Sequence, residues 1–91
     1  MKTDHLALYM FAACPYCQRV LHALARLALD LELRDVRIHP EYRQELVGAT
    51  GRGTVPCLRI EEDDGSVRWL HESLDIIAFL DKHFGTATAG E

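Results

Sequence analysis

The feature that most constrains the fold is an abrupt change of hydrophobic period at Cys14-Pro15. Before this point, Leu6–Phe11 is a continuous apolar run, which is typical of a buried strand. After it, apolar residues recur at intervals of three and four, which is the spacing of an amphipathic helix over Pro15–Asp30. Pro15 suits the first turn of that helix, where its missing N–H removes no hydrogen bond. The junction therefore predicts a buried strand that leads directly into a helix.

The rest of the chain alternates strand and helix patterns and ends in a hairpin followed by a helix. The first half can form a right-handed parallel crossover, and the hairpin around the turn Asp63–Ser66 adds antiparallel strands to the same sheet. The pattern predicts an α/β fold of order β-α-β-α-β-β-α. Its later segments are expected to be a strand at Leu33–Ile38, a helix at Glu41–Val47, strands at Cys57–Ile60 and Val67–Leu70, and a helix at Glu72–Phe84 that stops at Gly85.

Composition limits the chain to one small globular domain. Its 91 residues are 48% hydrophobic and 26% charged, values that fit a globular domain and not a disordered chain. We expect residues 1–85 to form the single domain. Residues 86–91 are small or polar, so we expect a disordered tail there.

Charge and hydropathy argue against two classes of partner. The net charge is −4 and no basic cluster appears, so the electrostatic pattern of a nucleic-acid-binding protein is missing. No apolar run approaches the ~20 residues of a membrane span. Leu6–Ala13 followed by Cys14 resembles a lipoprotein signal, but this apolar stretch is only eight residues long and Asp4 precedes it. We therefore expect a cytoplasmic monomer that binds neither nucleic acid nor membrane.

Three cysteines do not form a disulfide framework, but two of them form a Cys-x-x-Cys pair. Cys14 and Cys17 fall at the predicted helix start, where free N–H groups and the helix dipole stabilise a thiolate. We expect Cys14 to be the attacking thiolate and Cys17 to lie close enough to close a disulfide. Structural zinc is the alternative, but it needs two further ligands, and the five histidines show no paired spacing. Cys57 is expected to be a buried packing thiol.

Three segments carry a resemblance to known families. Cys14-Pro15-Tyr16-Cys17 resembles the glutaredoxin active-site tetrapeptide, and Thr54-Val55-Pro56 is similar to the Thr-Val-Pro segment of that family, whose proline is cis. Glu72-Ser73 resembles the Glu-Ser element of glutathione transferase N-terminal domains. The combination is most similar to the first domain of two-domain glutaredoxins, which implies a thioredoxin fold over residues 6–85. In those relatives an all-helical domain follows, and we expect the present module to stand alone.

The resemblance implies a site for glutathione as cosubstrate. Val55, turned outward by cis Pro56, would offer its backbone to the cysteinyl peptide. Ser73 would hold the γ-glutamyl carboxylate and Glu72 the ammonium group, which suits the anion preference of a helix N-terminus. Pro15 and Tyr16 would shape the surface around the reactive sulfur. Arg43 is the candidate for the glycine carboxylate and Arg52 is its rival, while His71 is expected to be only tolerated beside the site.

The function implied is a glutathione-dependent thiol–disulfide oxidoreductase with no metal. Cys14 would attack the glutathionyl sulfur of a mixed disulfide, and Cys17 would resolve protein disulfides. The expected partners are glutathione and glutathionylated or disulfide-containing proteins. One alternative is a module that binds a 2Fe–2S cluster through Cys14 and glutathione. Another is a transferase-like enzyme that conjugates glutathione to electrophiles.

Overall fold

The computed structural model describes residues 3–85, so the tail predicted at 86–91 lies outside the described residues. Seven elements follow in the predicted order. They are strand β1 (Leu6–Met10), helix α1 (Pro15–Arg26), strand β2 (Glu32–Asp35), helix α2 (Pro40–Thr50), strand β3 (Cys57–Glu61), strand β4 (Val67–Leu70) and helix α3 (Ser73–Phe84).

The strands form one four-stranded mixed sheet in the order β2-β1-β3-β4. β1 runs parallel to β2, with Leu8 opposite Leu33, and antiparallel to β3, with Leu8 also opposite Leu58. The β3–β4 hairpin completes the sheet. The predicted α/β fold class, a thioredoxin fold with a four-stranded mixed sheet, is confirmed.

Alternate residues of the central strands face two separate hydrophobic clusters. On one face, Leu8 and Leu58 pack with residues of α1 and α3 such as Val20 and Ile76. On the other face, the buried residues are Tyr9, Val36, Leu46 and Cys57, with Leu46 supplied by α2. Helices therefore cover both faces of the sheet. Within residues 3–85, no helix is long and apolar enough to cross a membrane.

The second strand is shorter than the hydrophobic pattern predicts. β2 ends at Asp35, whose carboxylate accepts hydrogen bonds from the backbone N–H groups of Arg37 and Ile38, both at 2.9 Å. These hydrogen bonds form a turn in place of further strand pairing with β1, because an Asp side chain readily accepts hydrogen bonds from the backbone N–H groups that follow it. The prediction of a strand through Ile38 is wrong, and the Ile38 side chain is 70% exposed.

The first two helices also differ from the predicted bounds. α1 ends at Arg26 and not at Asp30, because Leu27 caps it and Ala28 has a positive φ of 55°. α2 is longer than predicted and ends where Gly51 adopts the left-handed conformation, with φ of 81°. Glycine has no Cβ to oppose that conformation, so it is a favoured helix stop.

A polar cluster joins α2 to the sheet beside the second hydrophobic cluster. The hydroxyl of the fully buried Tyr9 donates a hydrogen bond to the Glu45 carboxylate and accepts one from Arg34 at 2.6 Å. Arg34 also pairs with Glu45 at 3.0 Å and with Glu32 at 2.6 Å. Burial and the hydrogen bond to Glu45 raise the pKa of Tyr9 to about 12. The cluster thus connects β1, β2 and α2 through charge-assisted hydrogen bonds, which are stronger than neutral ones.

Replacing Tyr9 by Phe should lower the free energy of unfolding by about 1–2 kcal/mol, because hydrogen bonds to charged groups are lost while the Arg34–Glu45 pair remains. The pKa of Tyr9 rises from 10.0 to about 12 on folding, so the hydroxyl stabilises the fold fully below pH 10 and progressively less as the pH rises toward 12. Urea unfolding of both proteins across this range is the measurement, with the exposed Tyr16→Phe as the control. A difference between Tyr9→Phe and wild type that stays constant to pH 12 would contradict the assignment.

Candidate functional site

Cys14 caps the N-terminus of α1 with its sulfur. Its backbone is extended, with φ −77° and ψ 120°, and its Sγ accepts a hydrogen bond from the backbone N–H of Cys17 at 3.3 Å. Pro15 occupies the first turn, as predicted. The sulfur therefore takes the place that a Ser or Asp oxygen takes in an ordinary N-cap, at the positive end of the helix dipole.

The two thiols of the pair are in different environments. Cys17 is fully buried, whereas 5% of Cys14 is exposed, and both are free thiols. Burial, followed by the contact with Cys14, raises the pKa of Cys17 to about 12. Cys17 is therefore a protonated thiol at neutral pH, and Cys14 is the member of the pair that can act as a nucleophile.

The peptide bond between Val55 and Pro56 is cis, as predicted. Pro56 is buried and Val55 is half-buried, just before β3. The N–H and C=O of Val55 make no hydrogen bond to another of the residues 3–85. Backbone groups near the surface without a protein partner can pair with a peptide-like ligand.

Glu72 and Ser73 mark the beginning of α3. The helix starts at Ser73, one residue later than predicted, and Glu72 caps it with φ of 46° and without a side-chain hydrogen bond. Ser73 is only 7% exposed, whereas Glu72 is exposed. No ion pair joins the Glu72 carboxylate to a side chain within residues 3–85. A free carboxylate thus lies beside a helix N-terminus that attracts anions.

These segments meet around a cleft of about 450 Å³. Of the predicted site residues, the cleft brings together Tyr16, Val55, Pro56, Glu72 and Ser73; Arg19, Arg52, Thr54, His71 and Leu74 complete its lining. Cys14, Pro15 and Cys17 are not lining residues; Pro15 and Cys17 are the immediate chain neighbours of Tyr16, and Cys14 precedes it by two residues.

Of the two arginines considered for a carboxylate, only Arg52 lines the cleft. The Arg43 side chain lies against Gly53, with its Nε 3.2 Å from where a Cβ on that glycine would stand. Arg52 comes directly after Gly51, which turns the chain at the end of α2. The sequence could not distinguish them, because the left-handed turn at Gly51 lies between the two arginines and only the folded chain shows that Arg52 lines the cleft.

The outer wall of the cleft combines exposed apolar surface with a cation. Tyr16 is 57% exposed and Leu74 is 68% exposed. The Arg19 guanidinium lies 5.4 Å from the centre of the Tyr16 ring. Arg19 was missed from the sequence, although its position one helical turn after Tyr16 was a usable signal.

His71 contacts two residues near the cleft. Its Nδ1 lies 3.4 Å from Thr54 Oγ1, and its Nε2 lies 3.7 Å from Cys57 Sγ. Burial raises the pKa of the Cys57 thiol to about 11. The prediction of a buried packing thiol at Cys57 is therefore confirmed, while His71 has a more specific environment than the sequence indicated.

The sheet, the cysteine cap on α1 and the cis-proline before β3 define a thioredoxin-like domain. A family model described as the glutathione S-transferase N-terminal domain matches residues 13–83. The chain therefore belongs to the glutathione S-transferase N-terminal domain family.

Solved structures of glutathione transferases and an isomerase are similar to the chain. A trimeric glutathione transferase of Leishmania is 31% identical, with a TM-score of 0.73 over 92% of this chain and 19% of its own. A glutathione transferase homolog from Drosophila mojavensis with bound glutathione is 26% identical, with a TM-score of 0.70 over 88% of this chain and 35% of its own. A maleylacetoacetate isomerase from Anaeromyxobacter dehalogenans is 26% identical, with a TM-score of 0.68 over 93% of this chain and 39% of its own.

The chain thus spans 19–39% of the length of these structures. No curated protein sequence gives a significant match.

Limited alkylation should distinguish the three cysteines. We expect iodoacetamide at about pH 8 to modify Cys14 first, because the pKa values of Cys17 and Cys57 are raised to about 12 and about 11 and both thiols are fully buried. Peptide mass spectrometry over a time course gives the order, and the same reaction in denaturant is the control. Equal native rates for Cys14 and either other cysteine would contradict the asymmetry.

Proposed function

We propose that the domain binds glutathione in the cleft and that Cys14 exchanges disulfides with it. Family membership and the neighbour with bound glutathione support the ligand. Charge supports it independently, because the cleft carries Arg19, Arg52 and Glu72, none of them in an ion pair with residues 3–85. Glutathione carries two carboxylates and one ammonium group, which is the complementary set. A volume of about 450 Å³ also suits a ligand of this size.

The three cleft segments suit different parts of glutathione. The free backbone groups of Val55 would pair with the cysteinyl peptide. Ser73, at the start of α3, would bind the γ-glutamyl carboxylate, and Glu72 would pair with the neighbouring ammonium group. Arg52 would bind the glycine carboxylate through its planar guanidinium. In this orientation the glutathione sulfur is directed toward the N-terminus of α1.

Replacing Arg52 by Ala should raise the KM for glutathione about tenfold, because a charge-assisted hydrogen bond to a carboxylate contributes about 1.5 kcal/mol or more. Arg43→Ala is the matched control and should leave the KM within about twofold, since Arg43 rests on Gly53 outside the cleft. Steady-state kinetics or direct titration with glutathione measures both. If Arg43→Ala raised the KM for glutathione more than Arg52→Ala did, the glycine carboxylate would be assigned to Arg43 instead.

The observation that carries the exchange chemistry is the Cys14 sulfur at the N-cap of α1. In the forward step, the Cys14 thiolate attacks the glutathionyl sulfur of a mixed disulfide. A Cys14–glutathione disulfide forms, the original S–S bond breaks, and the other thiol leaves as a thiolate that takes a proton from water. A second glutathione thiolate then attacks the glutathionyl sulfur, which releases oxidised glutathione and restores Cys14. With a protein disulfide, Cys14 first forms a mixed disulfide with one substrate sulfur and the other leaves as a thiolate. Cys17 then loses its proton to water and attacks the Cys14 sulfur, so that the remaining substrate thiolate leaves and a Cys14–Cys17 disulfide forms. Two glutathione molecules reduce this disulfide and leave as oxidised glutathione.

Cys14→Ser should abolish reduction of the glutathione–mercaptoethanol mixed disulfide, because serine is not a nucleophile for disulfide sulfur at neutral pH. Cys17→Ser should retain this activity, because the second glutathione replaces the resolving thiol, but it should lose dithiol reduction of protein disulfides. Coupling to glutathione reductase and following NADPH oxidation gives the rates. Wild-type activity that survives in Cys14→Ser would contradict the mechanism.

A transferase-type activity is the second candidate, and the family match and the neighbouring transferases and isomerase favour it over glutaredoxin identity. The same glutathione site serves both activities, since each needs the glutathione sulfur at the end of β1. They differ in the sulfur that reacts: the glutathione thiolate attacks an electrophile in a transferase, whereas in exchange the Cys14 thiolate attacks the glutathionyl sulfur and later leaves it as a thiolate. Conjugation of glutathione to an aryl halide that persists in Cys14→Ser would identify the transferase activity.

The proposal extends to the cellular location, the protein substrates and the oligomeric state of the domain. Three free thiols suit a reducing compartment, which supports a cytoplasmic location. The exposed Tyr16 and Leu74 beside the cleft give a glutathionylated protein a surface to contact. We propose that residues 1–85 act as a single monomeric domain on such substrates.

A further inference from the structure

The glutathione proposal leaves two side-chain contacts unexplained, those of His71 with Thr54 and with Cys57. His71 is half-buried, lies between β4 and α3, and lines the cleft directly before Glu72. One side of its ring faces Thr54, which precedes Val55, and the other faces Cys57, the first residue of β3. A single imidazole therefore joins the two segments proposed to hold the glutathione backbone and its γ-glutamyl end.

The two contacts indicate which ring nitrogen carries the proton. The pKa of Cys57 is raised to about 11, so its S–H is intact at neutral pH and can donate to His71 Nε2 at 3.7 Å. The proton of the neutral ring is then on Nδ1, which can donate to Thr54 Oγ1 at 3.4 Å. Burial, followed by the charge of Arg52, lowers the pKa of His71, while Glu72 opposes the shift. Neutral His71 is thus the form that fits the site at pH 7.

We propose that His71, as the neutral Nδ1–H tautomer, is a positioning residue that holds the Thr54–Val55 segment against the Glu72–Ser73 segment for glutathione binding. This inference rests on the proposed function. His71 acts through these neighbours and does not touch the reacting sulfur. Its protonation removes the acceptor for the Cys57 S–H and weakens binding.

The direction in which glutathione affinity changes with pH distinguishes this role from a simple effect of charge on binding. The groups of the cleft that bear charge around His71 are Arg52 after α2, Glu72 before α3 and Arg19 on α1, and the thiol of Cys57 on β3 is uncharged. An imidazolium added to this set would attract the two carboxylates of glutathione and tighten binding by charge alone. Loss of the hydrogen-bond acceptor at His71 Nε2 would instead weaken glutathione binding. Acidification from about pH 7 to about pH 5 should therefore weaken binding, although glutathione keeps its own charges over this range.

Calorimetric titration of glutathione into the full chain tests the proposal. His71→Leu should weaken binding roughly five- to tenfold and raise the KM without changing kcat by more than about twofold, because the ring contacts position the ligand only. His71→Gln should restore binding to within about threefold of wild type, since its longer side chain places an amide oxygen where Nε2 accepts from the Cys57 S–H. His22→Leu, at an exposed position of α1, is the matched control. Circular dichroism verifies that each variant is folded.

A second readout tests the proton position. Nitrogen-15 NMR of imidazole-labelled protein should show His71 as the Nδ1–H tautomer at neutral pH, and wild-type affinity should fall as that signal converts to the imidazolium. The proposal is overturned by an Nε2–H tautomer, by tighter binding on acidification, or by a folded His71→Leu that binds as wild type does. Wild type that binds no glutathione at neutral pH would overturn the proposed function itself, and the role of His71 with it.

Discussion

The constraint on which the site depends is the complete burial of β1. This strand is hydrogen-bonded to β2 on one side and β3 on the other, and all five of its residues are buried. No side chain of Leu6–Met10 can therefore reach a substrate. Chemistry can begin only where the strand ends, and there the chain places Cys14 at the start of α1. The same burial aligns β3 antiparallel to β1, which brings the residues that precede Cys57 to the same edge of the sheet.

The parts of the structure that the sequence predicted are those in which one local signal dominates. The change of period at Cys14-Pro15 predicts β1 and the start of α1, because burial and helix geometry act on the same residues. The predicted extension of β2 to Ile38 is wrong, because the Asp35 carboxylate binds the next backbone N–H groups and ends the strand although the apolar pattern continues. The contacts of His71 could not be predicted at all, since Thr54 and Cys57 lie more than a dozen residues away and only the folded sheet brings them near.

The cleft illustrates how one binding site leaves the reaction undecided. In the proposed site, the charges of Glu72 and Arg52 and the backbone groups of Val55 would bind a peptide-like ligand with separated carboxylates, whichever sulfur then reacts. The family relationship is informative about that ligand. The proposed disulfide exchange would depend instead on Cys14, whose sulfur accepts the Cys17 N–H, and on the Cys17 thiol, whose pKa is raised to about 12. Specificity for the ligand and choice of chemistry thus reside in different elements of a small fold.

The polar attachment of α2 has a consequence for how the cleft opens. α2 contributes one buried residue, Leu46, and is otherwise held by the half-buried Tyr42, which packs against Tyr9, and by the polar cluster of Tyr9, Arg34 and Glu45. α1 and α3 pack on the opposite face against the larger hydrophobic cluster. Elements with few buried apolar contacts open at lower free energy than the rest of a domain. If α2 moved away from the sheet, Arg52 would move with it while Cys14 and Ser73 stayed in place. One end of the cleft would therefore open independently of the other. A ligand held by both Arg52 and Ser73 would therefore oppose the opening of α2.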